Sequence, residues 1–207
     1  MALTRTDLGP ALLCAAALLL AACAARPPTA GGPTAPAGQP GAPAGGAVPP
    51  APTLESPTRP PLGLFSRIKT PSEVEPVLEL AATGFQIFRC EPDKDGSHWV
   101  FRLPEADLKD ARGQIVGHHG ANYSFEHVDG SRLIGTIVGY DSAPSDDSLR
   151  WLLLRTQSYG QGEFDKMTYV QRVDTSGGMP PAQCSAEQAN QILRVPFSAK
   201  FIFYRPR

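Results

Sequence analysis

Short segments of alternating apolar and polar residues, separated by Gly and Asp turn signals, fill the C-terminal two thirds of this chain. Residues 85–88 and 99–103 alternate in this way and flank the dipeptide Asp95-Gly96. Asp-Gly is typical of two-residue hairpin turns, because both central positions take a positive φ. The same order recurs around Asp129-Gly130. This repetition predicts an antiparallel β-meander.

Three later segments extend the pattern. Residues 151–154 are continuously apolar, which is typical of a strand buried on both faces. Residues 167–173 and 195–204 supply two further strands, whereas 104–109 fit either a turn or a helical loop. The predicted fold class is all-β, a single antiparallel β-sandwich-like domain, with a small β-barrel as the alternative.

Helix signals are few. Ser185 followed by Gln188 resembles a capping box, which predicts one short C-terminal helix at 185–193. Residues 70–73 fit a single turn before the first strand. The domain is therefore expected to be held together mainly by strand pairing.

An apolar run at 11–20 precedes the stretch Leu20-Ala21-Ala22-Cys23. A run of about ten residues suits the apolar region of a signal peptide and falls short of the roughly 20 residues of a spanning helix. The stretch resembles the lipobox of bacterial lipoprotein signals. That resemblance implies that residues 1–22 are a signal peptide. Cys23 would then be the mature first residue, with acyl chains that bind a lipid bilayer.

The residue after Cys23 is Ala24 and not Asp. In the Gram-negative sorting pattern this favours the outer membrane. We therefore expect a lipid-anchored protein of the bacterial cell envelope that faces the periplasm or the cell surface.

Residues 23–62 form a Pro/Gly/Ala-rich segment with almost no charge. Such a composition buries too little apolar surface to offset its ordering entropy, which predicts a disordered tether. Residues 63–207 then form one compact domain. The formal net charge is −1 at pH 7 and no Lys/Arg cluster stands out, so we expect no nucleic-acid partner.

Two cysteines, Cys90 and Cys184, remain in the predicted mature domain. In an oxidising envelope compartment an even pair of cysteines indicates a disulfide. Two free thiols are the alternative. A metal or redox site has less support, because the sequence contains no C-x-x-C spacing.

Two long motifs carry a family likeness. They are Ala-Thr-Gly-Phe-Gln-Ile-Phe-Arg-Cys at 82–90 and Met-Thr-Tyr-Val-Gln-Arg-Val-Asp-Thr-Ser-Gly-Gly at 167–178. Shorter motifs at 99–108, 129–131, 151–155 and 195–205 keep the same order. With these motifs, residues 77–205 resemble DUF3455, a secreted family of unknown function. The resemblance implies no settled chemistry. At 120–123 the chain has Gly-Ala-Asn-Tyr where many relatives have Gly-Pro-x-Trp.

Few residues suggest catalysis. His119, His127 and Asp129 are weak candidates for a metal site, since zinc normally needs three or four protein ligands. His118 is adjacent to His119, so on a strand the two point to opposite faces. His127, Asp129 and Ser131 lie close together in the sequence and contain the residue types of a hydrolytic triad. Asp129-Gly130 is better explained as a turn. Glu105 with Asp107 or Asp110 would form an acid pair of the kind used in glycoside hydrolysis.

Candidate binding residues are more numerous. The loop at 159–164 combines aromatic, amide and glycine residues that suit stacking on a sugar, and its candidates are Tyr159, Gln161 and Glu163. Three long polar side chains lie within apolar strands and need partners if buried: Gln86, Gln171 and Arg172. The last two are adjacent, so at most one of them lines a given pocket. They would otherwise brace the core.

These observations favour a non-enzymatic envelope lipoprotein that binds a glycan or peptide ligand. An unrecognised hydrolase or metal-dependent enzyme that uses the histidine-rich hairpin is one alternative. A structural envelope component that packs against partner proteins is the other. We expect no cofactor.

Overall fold

The computed structural model describes residues 56–94 and 96–207, and within them the chain is almost entirely β-structure. The eight strands found there are β1 (Val74–Asp93), β2 (Gly96–Lys109), β3 (Ile115–Gly120), β4 (Ser124–His127), β5 (Arg132–Asp141), β6 (Trp151–Tyr159), β7 (Tyr169–Gly177) and β8 (Ile192–Pro206). Two single 3₁₀ turns, Ala121–Tyr123 and Ala186–Gln188, complete the regular structure of this part of the chain.

Each strand pairs antiparallel with the next, and β1 also pairs with β8, so one sheet closes into a barrel. The prediction of a single antiparallel all-β domain is confirmed. Of the two architectures, the small barrel is correct and the sandwich is not. The reason is the length of β1, whose 20 residues pair with β2 along one edge and with β8 along the other.

The barrel interior is filled by the inward-facing residues of the strands. Leu80 and Ala82 of β1 belong to one buried cluster with Leu152, Leu154 and many others. Four phenylalanines fill its centre with edge-to-face and stacked ring contacts: Phe125, Phe164, Phe201 and Phe203. Such aromatic pairs contribute beyond the area that they bury.

A second, smaller cluster lies on the outer face of β6, β7 and β8. Leu153, Val173 and Ile202 alternate with the interior residues and therefore point outward. The segment before β1 covers them with Ile68, which is fully buried. We call residues 62–70 the strap.

Both predicted hairpins are present. Asp93 pairs with Gly96 at the first, and Asp95 lies outside the described residues. At the second, the Gly130 N–H donates to the His127 carbonyl and the His127 N–H to the Ser131 carbonyl, so the loop has three residues. Gly130 has a φ of 88° but Asp129 has no positive φ, so the predicted two-residue Asp-Gly turn geometry is wrong there. The ambiguous segment 104–109 is a strand, as part of β2.

The predicted helix at 185–193 is shortened to the 3₁₀ turn Ala186–Gln188. The capping box is present, and the Ser185 N–H donates to the Gln188 side-chain oxygen at 2.9 Å. The helix ends there because Asn190 adopts a φ of 66° and its N–H donates to the Cys90 carbonyl. That bond returns the chain to the edge of β1, where β8 begins.

The Cys90–Cys184 disulfide is confirmed. It joins β1 to the segment before β8, with the two Cα atoms 6.0 Å apart and a sequence separation of 94 residues. Cys90 is fully buried, so the bond is part of the packed structure.

The predicted signal peptide and Cys23 lie outside the described residues, as does the predicted tether as far as residue 55. Residues 56–62 are described, and there the Arg59 guanidinium lies 5.5 Å from the Tyr204 ring centre and donates to the Val74 carbonyl. The domain boundaries stay predictions. Within 56–94 and 96–207 the structure has no helix of the length and apolarity needed to cross a membrane.

Replacing both disulfide cysteines, as Cys90→Ser with Cys184→Ser, is expected to lower the free energy of unfolding by about 4–5 kcal/mol, because a loop of this length is released in the unfolded chain. Denaturant titration measures the change. The wild type with added reductant is the control and should show the same loss. An unchanged denaturation midpoint in the double variant would contradict a stabilising role.

Candidate ligand-binding groove and the buried polar groups behind it

A groove of about 460 Å³ crosses the barrel wall where β1, β2 and β3 meet. Its lining residues are Thr83, Gly84, Phe85, Leu103, Pro104, Glu105, Ala106, Asp107, His118, His119, Gly120 and Arg194. They include an exposed ring, two acids, two histidines and an arginine, so the groove offers both an apolar surface and hydrogen-bonding groups.

The short strand β3 creates this groove. Its pairing with β2 begins at Ala106–His119 and runs to Lys109–Ile115, so the part of β2 before Ala106 extends past the end of β3. Gly84 deepens the depression, because β1 and β2 approach each other closely there. A Cβ atom on Gly84 would lie 2.1 Å from the Glu105 carbonyl oxygen.

Phe85 is the aromatic surface of the groove. Its neighbours Gly84 and Gln86 face the interior side, so the ring points outward and is 38% exposed. The Arg194 guanidinium lies 4.6 Å from the ring centre and makes a 2.7 Å ion pair with Glu105. Sequence analysis did not single out Phe85, although its spacing from Leu80 and Ala82 places it on the opposite face.

A row of polar side chains runs from this groove across the outer wall. The strand register sets Asp107 opposite His118, His118 opposite Glu126, Glu126 opposite Arg132, and Arg132 opposite Tyr159. Residues directly opposite in an antiparallel pair share a face, so the five side chains stand side by side. The first four alternate between acidic and basic side chains, and Tyr159 ends the row with an aromatic ring. We call this set, with Phe85 and Arg194, the wall row.

The far end of the wall row has the same chemistry as the first groove. A second groove of about 300 Å³ is lined by Glu126, His127, Gly130, Arg132, Tyr159 and Gly160. The Arg132 guanidinium lies 5.3 Å from the Tyr159 ring centre. Each end of the row therefore presents an exposed aromatic ring beside an arginine.

The other loop candidates lie next to this second groove. Gln161 is exposed on the loop, and the Glu163 backbone N–H donates to the Asp129 carboxylate at 2.7 Å. The side chain of Glu163 faces other surface grooves, beside Lys166 and near Asp110. Of the three predicted loop residues, Tyr159 alone lines the second groove.

His119 lies behind the first groove, inside the barrel. Its ring stacks on Phe125 with centres 4.5 Å apart, and its Nδ1 is 2.9 Å from the Ser124 carbonyl. The Nε2 atom is buried without a hydrogen-bond partner among the described residues. Burial lowers the pKa of His119 to about 4, and the nearby Arg172 guanidinium lowers it further while the bond to Ser124 opposes both.

Arg172 and Gln86 also face the interior side of the barrel. Arg172 donates from Nε and Nη2 to the Arg150 carbonyl, and burial lowers the pKa of its guanidinium to about 10. Gln86 is almost fully buried, and its side-chain nitrogen lacks a hydrogen-bond partner in the part of the chain that the structure describes. Gln86, His119 and Arg172 are thus buried polar side chains on the interior side of the barrel.

Gln171 points outward, as its position next to Arg172 requires. Its amide nitrogen donates to the Ile68 carbonyl at 2.5 Å, and its oxygen accepts from the Tyr204 hydroxyl. Burial raises the pKa of Tyr204 to about 12. Gln171 therefore holds the strap against the barrel wall.

The His127, Asp129 and Ser131 cluster is a loop brace in this structure. The Ser131 hydroxyl donates to Asp129 at 2.6 Å and accepts from the Phe164 N–H, and Ser131 is fully buried. His127 Nδ1 is 2.9 Å from the other oxygen of Asp129. Because the Ser131 hydroxyl bonds to the acid and not to the histidine ring, the order differs from a hydrolytic triad. The hydrogen bonds from Ser131 lower the pKa of Asp129 most.

The metal and acid-pair candidates are spread over the barrel. His119 is interior, His118 pairs with Asp107 at 3.1 Å outside, and His127 pairs with Asp129 at the turn. Glu105 and Asp107 share the outer face of β2, but Glu105 pairs with Arg194. Across the described ranges, no group of three His, Cys, Asp or Glu residues is arranged to hold a metal ion.

Comparison with known proteins identifies the family. The sequence profile of DUF3455, a family described as proteins of unknown function, matches residues 71–205. The chain belongs to this family, as its motifs predicted. No curated protein matched the chain, and no solved structure matched it.

The buried His119 gives a pH-dependent stability. In the unfolded chain it binds a proton below its ordinary pKa of 6.5, whereas the folded protein keeps it neutral down to about pH 4. Between these pH values the unfolded state binds more protons than the folded state. We therefore expect the free energy of unfolding to fall by about 3 kcal/mol as the pH is lowered from 6.5 to about 4.

Urea titrations across that pH range measure the effect, with His119→Gln as the comparison. The variant should be less stable near neutral pH, because its packing changes, but should lose this part of the pH dependence. Parallel pH profiles for the two proteins would contradict the assignment.

Proposed function

We propose that this protein is a bacterial cell-envelope lipoprotein whose barrel binds a glycan chain along the wall row. The observation that carries the proposal is the row itself, in which alternating acidic and basic side chains connect two exposed aromatic rings. Aromatic faces offer apolar contact, and charged groups donate to and accept from hydroxyl groups without needing one fixed geometry. Exposed ion pairs contribute little to stability, so a ligand can replace them at small cost.

The length of the wall row favours a glycan chain over a single small molecule as the ligand. Asp107 to Tyr159 crosses four strand intervals, or about 19 Å along the curved wall. A glycan chain of several sugars would reach from Phe85 toward Tyr159. The two grooves would then accept different sugars of one ligand.

A peptide ligand fits this surface less well. Extended peptides usually add to an open strand edge through backbone hydrogen bonds. The part of β2 that extends past β3 contains Pro104, which has no N–H group to donate. The wall row also runs across the strands and not along an edge.

The proposed location rests on the N-terminal sequence and agrees with the disulfide. The Leu20–Cys23 stretch supports lipidation at Cys23, and Ala24 supports the outer membrane. A buried disulfide persists in an oxidising compartment, as the envelope is. Lipidation would keep the barrel near its ligand without fixing its orientation.

The test of glycan binding removes one ring at a time. Phe85→Ala and Tyr159→Ala are each expected to weaken binding to soluble peptidoglycan glycan chains about tenfold, as expected for a central aromatic contact. Calorimetry or a pull-down measures the loss. Phe101→Ala is the matched control, because Phe101 is similarly exposed at 44% and lies outside both grooves.

Equal binding by all three variants, or equal losses, would exclude the wall row as the site. If the wild type binds no glycan from a broad panel while partner proteins co-purify with it, the structural alternative replaces the proposal.

Lipidation has its own test. Cys23→Ser is expected to abolish incorporation of a labelled fatty acid and to leave an uncleaved chain of higher mass, since the acyl group is attached at that thiol. Mass spectrometry of the purified protein measures both. Cys14→Ser is the matched control and should leave acylation intact. Acylation that survives Cys23→Ser would refute the anchor.

A further inference from the structure

The strap contains a turn whose tip is apolar and almost fully exposed. The Ser66 N–H donates to the Gly63 carbonyl at 3.1 Å and closes the turn. Leu64 is 80% exposed and Phe65 is 91% exposed, and they are the most exposed large apolar side chains among the described residues. Adjacent residues exposed to this degree contribute little to folding, so their apolar surface is available for another contact.

The turn is held firmly in this position. The Ser66 hydroxyl and the Arg67 N–H both donate to the Asp141 carboxylate, at 2.6 and 3.0 Å. Leu62 and Ile68 pack against the outer cluster on either side of the turn. Gly139 lies so close to the strap that a Cβ there would be 2.2 Å from the Arg67 carbonyl oxygen.

Basic and amphipathic side chains surround the tip. Lys69 Nζ donates to the Leu64 carbonyl at 2.5 Å. The guanidinium groups of Arg67 and Arg150 lie 6.0 and 5.0 Å from the Tyr140 ring centre. Val138, which is half exposed, directly precedes Gly139, the residue that lies against the strap. The acid nearest the turn, Asp141, already accepts the two bonds from the strap.

We propose that this tip patch, formed by Leu64, Phe65, Arg67, Lys69, Val138, Tyr140 and Arg150, docks the barrel on an anionic lipid bilayer. The two apolar tip residues enter the interface, and the three cations lie at the level of the phosphates. This combination of apolar tip and flanking cations is the chemistry of interfacial membrane binding. Tyr140 suits the same depth, because its ring is apolar and its hydroxyl is polar.

The charge of the tip patch favours an anionic bilayer over a second copy of the chain as the partner of this surface. Two copies that met through this patch would bring the same three cations together, and like charges repel. The docking proposal depends on the proposed lipid anchor in one respect, because the anchor would keep a bilayer within reach of residue 64. The tether would set the reach, and the patch would set the orientation.

The experiment places a tryptophan at the tip. Phe65→Trp in the purified mature protein is reconstituted into phosphatidylglycerol vesicles that contain brominated lipid, and its fluorescence is compared with phosphatidylcholine vesicles. Val128→Trp is the matched control, because Val128 is also an exposed apolar residue, at 70%, on the turn between β4 and β5. The two native tryptophans contribute the same background fluorescence to both variants.

Phe65→Trp is expected to show blue-shifted emission and to be quenched by brominated lipid in anionic vesicles, at least twofold more than Val128→Trp. Replacing Arg67 and Lys69 with Gln should bring this quenching down to the control level, since each cation near an anionic surface contributes about fivefold to binding.

Equal quenching of the two tryptophans would overturn the proposal. Protection of Phe65→Trp from aqueous iodide in the absence of vesicles would also overturn it, because a protein surface would then cover the tip. The mass of the same sample reports acylation. A chain without acyl groups that still shows tip quenching would refute the anchor and leave the docking in place.

Discussion

The pairing of β1 with β8 determines the rest of this structure. It joins the two ends of the domain over 15 residues of β8 and turns an open meander into a barrel with one inside and one outside. With closure, alternate residues of each strand have fixed roles, and the inward set packs as one aromatic-rich core. Within the closed sheet, the turns between successive strands and their buried faces set the register that aligns Asp107, His118, Glu126, Arg132 and Tyr159. The disulfide supports the same junction, since Cys90 lies near the end of β1 and Cys184 just before β8.

Some buried polar groups of the barrel interior lower the stability of the fold. Gln86 and His119 each bury a nitrogen without a hydrogen-bond partner among the described residues, whereas the buried Arg172 guanidinium donates to the Arg150 carbonyl. Unpaired polar groups of this kind destabilise a fold by about 1–3 kcal/mol each. His119 reduces its cost by remaining neutral, as its lowered pKa requires. It also lines the first groove, so a ligand in that groove would lie against a wall segment with His118 on the outer face and His119 on the inner face.

Features that depend on neighbouring residues could be predicted from the sequence. The pairing of distant strands could not. The Asp129-Gly130 turn, the strand at 151–154 and the capping box at Ser185 each depend on neighbouring residues, and each is present. Sandwich and barrel have the same alternation, so only the contact of β1 with β8 separates them. The helix after Ser185 failed for a similar reason, because the bond from Asn190 to Cys90 comes from a distant strand. Phe85 was missed because the sequence marks Gln86 as the polar residue of an apolar strand, whereas in the structure Gln86 faces inward and Phe85 outward.

One end of the wall row, Arg132 with Tyr159, and the tip patch lie at opposite ends of the same two strands. On β5 the row contains Arg132 and the patch contains Tyr140, eight residues apart, which corresponds to about 26 Å of strand. On β6 the row ends at Tyr159, whereas the patch lies beside Arg150, just before that strand begins. A bilayer beneath the tip would therefore lie away from the Tyr159 end of the row, which would stay open to a glycan beyond the membrane surface. Docking of the tip and ligand binding at that end would then be compatible in one orientation.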